Sequence, residues 1–263
     1  MESLSSMIEE ETRGSKLELN KDEYNDFIRC VTNLKEVCND LDIRDGLLRQ
    51  RSNDKTSIFE VDMSSILPGV TMAISDIKRK LDLLKTFSGQ DVTLEIVDGS
   101  PGYFVFADSF SSLKFVSPSL QYIDNKYMTP EELDSMFAMN DDDLILEHDL
   151  TAMITERVRI ITTNFSADAI QVNFEGEVAS IKAATQAKDQ FAEFVKDIQT
   201  NVILEDCSAL LSTVPFGIEH DTDVEFKMFK DPNQDISLNK FETTLGDITM
   251  KILTRSAIVK DED

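Results

Sequence analysis

The chain has 263 residues, enough for two compact domains of about 130 residues each. Its 50 acidic and 26 basic residues give a formal net charge of −24, which argues against a broadly basic, nucleic-acid-binding surface. The sequence contains no apolar run of about 18 residues, as a membrane span requires, and no secretory signal. We therefore expect no membrane partner and a cytoplasmic location, which is the host cytoplasm if the source is a virus.

The three cysteines are too few and too irregularly spaced for a known site. Cys30, Cys38 and Cys207 match no zinc or redox motif, and their number is odd. We expect buried free thiols, because free cysteine behaves as a small apolar residue.

The first half of the chain has the pattern of strands interrupted by two helices. Residues 1–15 form an acidic leader that we expect to be disordered. Asn20 and Glu23 resemble a capping box, and the apolar residues after them recur at helical spacing, which predicts a helix over 21–36. A second helix is predicted from Ser75. The predicted strands cover residues 16–20, 38–44, 46–52, 57–64, 70–75, 92–97, 103–107 and 111–116.

The second half repeats this order after an interruption. Residues 118–142 have the composition of an interdomain linker, in which the segment after Pro130 suits a short helix. Residues 150–164 predict a helix; their β-branched residues also suit a strand, and agreement with the first half decides for the helix. A short helix is predicted at 206–213, and we predict a duplicated domain. The predicted strands cover residues 143–149, 169–175, 177–187, 189–198, 201–205, 223–230, 236–245 and 247–259.

These patterns divide the chain into five parts. The predicted leader, domain 1, linker, domain 2 and acidic tail cover residues 1–15, 16–117, 118–142, 143–260 and 261–263.

Basic residues concentrate on the predicted helices. Four of the 26 fall on the helix that starts at Ser75, and the helices at 21–36 and 150–164 add five more. Any amphipathic helix exposes a charged face to water, so solvation alone explains each helix. A surface that faces a polyanion would also collect the minority charge, and both interpretations stay open. Arg157 speaks against the second one, because it projects toward the apolar side of its predicted helix.

Two segments of the first half resemble a known family. Val70–Pro118 carries an apolar strand, the helix Ser75–Phe87, a Gly-Gln-Asp turn, an acidic hairpin and then Phe104–Asp108. Earlier in the chain, Asp45-Gly46 leads into Leu47–Arg51. In this order of elements the sequence resembles DNA sliding clamps, the polymerase processivity factors, of the T-even bacteriophage type and more distantly proliferating cell nuclear antigen. The similarity spans nearly the whole chain and lies in the order of elements more than in identical residues.

The resemblance implies an α+β fold with two topologically similar DNA-clamp domains, whose β-sheets lie outside and whose two helices each line the inside. Two domains per chain imply a homotrimer that forms a six-domain ring around double-stranded DNA. The implied partners are DNA, a DNA polymerase and a clamp loader ATPase, with no cofactor, no metal and no catalytic residue. Strand 111–117 is expected to pair with strand 189–198 of the next subunit. The implied interface residues are Leu113, Phe115, Phe191 and Phe194.

The resemblance also implies two sets of contact residues. The positions facing DNA are Lys21, Arg29, Lys35, Lys78, Arg79, Lys85, Arg157 and Arg159. Residues 206–213 contain no Lys or Arg, so domain 1 is expected to dominate the lining. An apolar pocket for a partner peptide is expected at Ile58, Tyr122, Ile123, Tyr127, Met128, Ile252, Leu253 and Ile258. The strand residues in this set also suit a core, whereas large apolar residues on a polar linker favour a pocket.

The remaining motifs give weaker evidence for a function. Residues 231–242 nearly match a calcium-binding EF-hand loop, but Ile236 stands where the loop needs Gly, so we expect a β-hairpin turn. Neither His148 nor His220 has a nucleophile or ligand set placed around it, and we expect no enzyme. The alternative function is an acidic, β-rich interaction protein, a DNA mimic or scaffold, that binds basic partners. An enzyme with a dispersed active site is a third class, for which the sequence offers no candidate residues.

Overall fold

The structure is a computed structural model of the chain. It describes residues 14–35, 37–97, 102–118, 122–123, 125–137, 139–165, 169–184, 195–217, 219, 221–231 and 233–260. These residues form two compact units. The first contains the described residues of Met1–Leu48 and of Asp62–Tyr127, and the second contains Arg49–Val61 and the described residues of Met128–Asp263.

The first unit combines two helices with two groups of antiparallel strands. Its helices are α1 (Lys21–Leu34) and α2 (Ile77–Leu84), and a short 3-10 helix (Lys85–Phe87) continues α2. One group is a four-stranded sheet in the order β1-β6-β7-β8, with bounds Gly14–Leu19, Val92–Val97, Tyr103–Ala107 and Ser112–Val116. The other group has the order β5-β2-β3, with bounds Met72–Ile74, Leu41–Arg44 and Leu47–Arg51, and β3 ends in the second unit.

Local sequence signals explain where α1 begins and how β2 turns into β3. The Asn20 side chain accepts a hydrogen bond from the Glu23 N–H, and the Glu23 carboxylate accepts one from the Asn20 N–H, which completes the predicted capping box. Asp45 and Gly46 both have positive φ, as a tight hairpin turn requires. A Cβ on Gly46 would lie 2.6 Å from the Leu67 carbonyl oxygen, so only glycine fits this turn.

An aromatic cluster forms the core between the helices and the four-stranded sheet. The buried Tyr24 ring of α1 lies within 6.4 Å, centroid to centroid, of Phe27, Phe87 and Phe106. Its hydroxyl donates a 2.7 Å hydrogen bond to the Leu84 carbonyl oxygen at the end of α2. This bond satisfies a polar group inside an apolar core and fixes α1 against α2.

The second unit is dominated by antiparallel strands. Its helices are α3 (Pro130–Met136) and α4 (Ala152–Phe165). Its main sheet has the order β3-β4-β14-β13-β12-β9, in which β4, β14, β13, β12 and β9 are Ser57–Asp62, Ile248–Lys260, Ile236–Leu245, Val224–Lys230 and Leu144–Leu150. Two long strands, β10 (Ala169–Ala184) and β11 (Val195–Leu211), pair with each other, and β11 also pairs with the end of β14. Short 3-10 helices lie at Asp141–Asp143 and Val214–Gly217.

The predicted α+β class is confirmed, and so are α1, α2, α4, the short helix after Pro130 and the hairpin at 231–242, which joins β12 to β13. The helix predicted at 206–213 is wrong. Residues 206–211 end strand β11, where Leu211 lies opposite Ile170. The strands predicted at 169–175 and 177–187 are one strand with a bulge near Gly176, rather than two strands joined by a turn. The described part of the second unit therefore has one long helix, α4, where two helices were expected.

The cysteine prediction is confirmed. Cys30, Cys38 and Cys207 are free and buried. Burial raises the pKa of the Cys30 thiol to about 12, with a smaller contribution from Cys38. Such a thiol stays protonated and is a poor nucleophile.

Replacing Tyr24 with Phe should lower the free energy of unfolding by about 1 kcal/mol, because the Leu84 carbonyl oxygen loses its buried donor while the ring packing is kept. The difference is measured as the shift of the urea unfolding midpoint. Tyr122→Phe makes the same chemical change at a side chain that is 73% exposed and should leave the midpoint unchanged. Equal midpoints for both variants and the parent protein would show that the Tyr24 hydrogen bond contributes nothing.

Candidate functional site

The predicted DNA-facing residues of the first unit lie on two helices that pack against each other. On α2 and its 3-10 continuation, Lys78, Arg79 and Lys85 are exposed. The fourth cation, Lys80, is half-buried, and its ammonium donates to the Ser75 hydroxyl at 3.0 Å. The helix therefore presents to solvent the three cations that the sequence analysis selected.

The face of α1 has a mixed charge. Lys21 is exposed, whereas Arg29 and Lys35 are half-buried. The Arg29 guanidinium lies 3.4 Å from the Asp26 carboxylate, so part of its charge is neutralised locally. Within the first unit, the excess of positive charge is thus on α2 rather than on α1.

In the second unit, α4 carries the two predicted cations. Arg157 is exposed, and the expectation that it projects toward the apolar side of the helix is wrong. Arg159 forms two 2.7 Å hydrogen bonds with the Glu156 carboxylate. Helix α4 therefore offers less net positive charge than α2.

Two lysines on the sheet of the second unit contact carboxylates. Lys227 lies 2.9 Å from both Glu147 and Glu225, which are its neighbours on the same face. Lys240 lies 2.6 Å from Glu242. These lysines give the sheet no net positive surface, in contrast to α2.

The predicted subunit interface is described only in part. Strand β8 is the edge of its four-stranded sheet. Leu113 on this strand is half-buried, whereas Phe115 is buried against Phe104 and Phe106. The expected partner positions, Phe191 and Phe194, lie outside the described residues.

The predicted peptide-binding residues are divided between the two units. In the first unit, Tyr122 is exposed and Ile123 is buried. The Tyr127 ring lies 4.5 Å below the Arg44 guanidinium, which in turn pairs with Asp42 at 2.9 Å. Tyr127 is therefore held by a stacked cation and a neighbouring carboxylate.

In the second unit, four adjacent strands place apolar side chains in one row. Ile58 of β4, Leu253 of β14, Leu238 of β13 and Phe229 of β12 belong to one buried cluster that also includes Met128. Phe229 and Leu238 are direct partners across the β12–β13 pair. We call the row formed by Ile58, Leu253, Leu238 and Phe229 the apolar face.

The other two predicted strand residues lie elsewhere. Ile252 precedes Leu253 and so points to the opposite side of β14, where its partner Phe241 stacks on Phe226 at 4.6 Å. Ile258 is half-buried near the end of β14, and its N–H donates to the Asp235 carbonyl oxygen. The structure thus brings together Ile58, Met128 and Leu253 but not Ile252.

A segment of the chain itself covers the apolar face. Helix α3 begins with a capping box at Thr129, and Leu133, Met136 and Phe137 pack against the cluster. These three residues have the spacing i, i+3 and i+4, which places them on one side of a helix. We call Thr129–Phe137 the strap. These contact residues were not predicted, although their spacing after Pro130 is visible in the sequence.

Two arginines of the second unit hold the strap at its C-terminal end. The Arg255 guanidinium donates to the Met136 carbonyl oxygen and lies 5.1 Å from the centre of the Phe137 ring. The Arg51 guanidinium donates to the Met136 sulfur atom at 2.7 Å. The end of the strap is therefore bound through exposed polar contacts as well as apolar ones.

A charged triad supports the strands beneath the strap. Glu60 of β4 accepts a 2.7 Å hydrogen bond from Arg49 of β3 and a 3.1 Å hydrogen bond from Lys251 of β14. Burial raises the pKa of the Glu60 carboxyl, but the bonds from Arg49 and Lys251 lower it further, so the pKa lies below its ordinary value. The triad joins three adjacent strands in their charged form.

Within the described residues, no group of three or more His, Cys, Asp or Glu side chains is arranged to hold a metal ion. His148 lies on β9 opposite Phe226, and His220 lies outside the described residues. None of the helices in the described ranges is long and apolar enough to cross a membrane.

Neither a protein-family model nor a curated protein matches the sequence. Solved structures do match. The chain is similar to the PCNA2–PCNA3 complex of Sulfolobus tokodaii, with a TM-score of 0.60 and 13% identity over 92% of this chain and 99% of that one. It is similar to A. fulgidus PCNA bound to the C-terminal region of FEN-1, with a TM-score of 0.59 and 11% identity over 94% and 99% of the two chains.

A bacterial clamp gives the same result. The Helicobacter pylori beta clamp bound to a DNA ligase peptide matches with a TM-score of 0.56 and 12% identity, over 95% of this chain and 67% of that one. The chain therefore has the fold of the sliding clamps, and within that class the likeness to proliferating cell nuclear antigen extends over nearly the full length of both chains.

Replacing Glu60 with Gln should lower the free energy of unfolding at pH 7 by about 2 kcal/mol, because two charge-assisted hydrogen bonds are lost. The pKa of Glu60 is lowered by folding, so the stabilisation is full above the unfolded-state pKa of about 4.3 and is lost as the pH falls through the folded-state pKa. Urea unfolding curves of both proteins should therefore converge at acidic pH.

The matched control for this experiment is Glu175→Gln, the same change at an exposed position of the second unit. It should shift the unfolding midpoint little at any pH. A gap between Glu60→Gln and the parent protein that stays constant down to pH 3 would contradict the ionised triad.

Proposed function

We propose that this chain is a sliding clamp, a non-enzymatic subunit that surrounds double-stranded DNA and tethers a DNA polymerase to it. The observation that carries the proposal is the sliding-clamp fold, which extends over more than nine-tenths of the chain. We also propose that the clamp is of the bacteriophage type and that it acts in the cytoplasm, which is the host cytoplasm if the source is viral.

The proposal assigns the inner surface of the ring to the basic helices. The DNA-facing residues are Lys21, Arg29, Lys35, Lys78, Arg79, Lys85, Arg157 and Arg159. Exposed Lys78, Arg79 and Lys85 support this assignment, because they concentrate positive charge on one helix of a chain whose net charge is −24. Contacts to phosphates are independent of sequence, as sliding along DNA requires.

The proposal also requires a ring. Three copies of two domains would form it, and a clamp loader ATPase would open it on DNA. Among the described residues no strand pairs with the outer side of β8, and this edge supports pairing between subunits, since an exposed strand edge is a template for another strand. Leu113 and Phe115 of β8 would face Phe191 and Phe194 of the neighbouring copy.

Partner proteins would bind the clamp through short peptides. The solved relatives include A. fulgidus PCNA with the C-terminal region of FEN-1 and the H. pylori clamp with a DNA ligase peptide. We place the corresponding site of this chain in the second unit, at Ile58, Met128 and Leu253. Ile258 of the second unit completes the proposed set, and Ile252 is left out because its side chain points to the opposite side of β14. Tyr122, Ile123 and Tyr127 belong to the first unit and stay predictions from the sequence.

The ring is tested by mass and by imaging of the isolated protein. A clamp should have a mass of three times 29.7 kDa at sufficient concentration and should show a six-lobed annulus by electron microscopy. A protein that stays monomeric at every concentration and binds basic proteins would instead be an acidic DNA mimic or scaffold, the function that the charge of −24 favours.

The DNA-facing helix is tested by neutralising Lys78, Arg79 and Lys85 to Gln. We expect the length of DNA synthesised per binding event on a primed circular template, with polymerase and loader from the same source, to fall at least about tenfold, because each lost phosphate contact weakens binding. The trimer should be unaffected. The matched control neutralises Lys16, Lys55 and Lys230, three exposed lysines outside the helices, and should keep full activity. An equal loss of synthesis length in both triple variants would show that α2 does not face the DNA.

A further inference from the structure

The strap occupies the face on which a partner peptide is expected to bind. Leu133, Met136 and Phe137 of the strap pack on the cluster formed by the apolar face and Met128. A partner peptide that used the apolar face would meet these three side chains first. The segment and a partner therefore compete for the same surface.

The strap is attached weakly for a segment that covers a core. Helix α3 has seven residues, none of which is buried; Leu133 and Met136 are half-buried, and the buried Phe137 follows the helix. A helix this short is not stable without its tertiary contacts. Within the strap, three side chains and the contacts to Arg51 and Arg255 hold the segment. Its two ends continue into Met128, whose N–H donates to the Arg49 carbonyl oxygen, and Met139, which packs on the same cluster.

The surface beneath the strap is independently braced. Glu60, Arg49 and Lys251 join β3, β4 and β14, and the β12–β13–β14 pairing continues on the other side of the row. The apolar face is therefore formed by strands whose positions do not depend on the strap. Removal of the strap would leave an apolar row flanked by the two guanidinium groups of Arg51 and Arg255.

We propose that the strap is a displaceable internal ligand, and that a partner binds by replacing it with a helical segment of the same chemistry. This inference rests on the proposed clamp function, because it concerns how a tethered partner gains access. The chemistry is an amphipathic turn of helix with apolar residues at i, i+3 and i+4. Its C-terminal carbonyl groups and acidic side chains would contact Arg51 and Arg255, as the Met136 carbonyl oxygen contacts Arg255 now.

The test uses a fluorescein-labelled peptide with the sequence of residues 128–140, added to the full chain at up to millimolar concentration and followed by fluorescence anisotropy. The tethered strap has an effective concentration in the millimolar range, so the parent protein should bind this peptide weakly. The variant Leu133→Ser/Met136→Ser keeps the apolar face and loosens the strap. It should bind the peptide at least about tenfold more tightly than the parent protein.

Two controls and a second loosened variant make the result specific. Glu131→Ser/Asp134→Ser places two serines on the exposed side of the same helix and should bind the peptide as weakly as the parent protein. A peptide with serines at positions 133 and 136 should not bind the loosened variant. Ser135→Pro, which breaks α3 at an exposed residue, provides a second loosened variant and should also gain affinity.

Equal affinity of the parent protein and both loosened variants for the peptide, or no binding by any of them, would overturn the inference. The assay requires neither DNA, nor polymerase, nor formation of a ring. A chain that gains peptide affinity but forms no annulus would therefore contradict the proposed function alone, and an active clamp without the gain would contradict the displaceable strap alone.

Discussion

In the proposed clamp, contact with DNA would depend on how this chain separates its charges. A polypeptide with a net charge of −24 is repelled by DNA unless its cations occupy a surface of their own. On the sheet of the second unit, Lys227 and Lys240 lie against glutamates, so their charge is cancelled within about 3 Å of where it arises. On α2, three cations reach solvent together. Lys227 and Lys240 therefore add little net positive charge to the strands, whereas the exposed Lys78, Arg79 and Lys85 give the surface of α2 an excess of basic residues.

The helices of this fold could be predicted from the sequence because their signals are local. The capping box at Asn20 and the apolar spacing after it define α1 without any tertiary information. The wrong prediction of a helix at 206–213 also has a local explanation. Cys207, Ala209 and Leu211 are buried and alternate with exposed or half-buried residues, which is the period of a strand. Long-range pairing of these residues with β10 completes the strand.

The candidate site was predictable in part, for a reason that the strand β14 shows. Leu253 and Ile252 are neighbours in sequence, but a strand sends consecutive side chains to opposite faces, so only one can join a pocket. Choosing Leu253 over Ile252 requires knowing which side faces Ile58. The row that also contains Leu238 and Phe229 arises from the register of β12, β13 and β14, and no local pattern in three separated segments encodes that register.

An internal ligand lowers the apparent affinity of every partner that binds the same site. The apparent affinity of a partner equals its intrinsic affinity multiplied by the fraction of molecules whose strap is open, so every partner is weakened by the same factor. Partners then differ only in how well they fill the row and satisfy Arg51 and Arg255. Methionine suits this exchange, because its flexible side chain adapts to irregular apolar surfaces, and Met128 and Met136 both line the contact. A surface of this kind is able to accept different peptides in turn, while its apolar row stays covered in every molecule whose strap is closed.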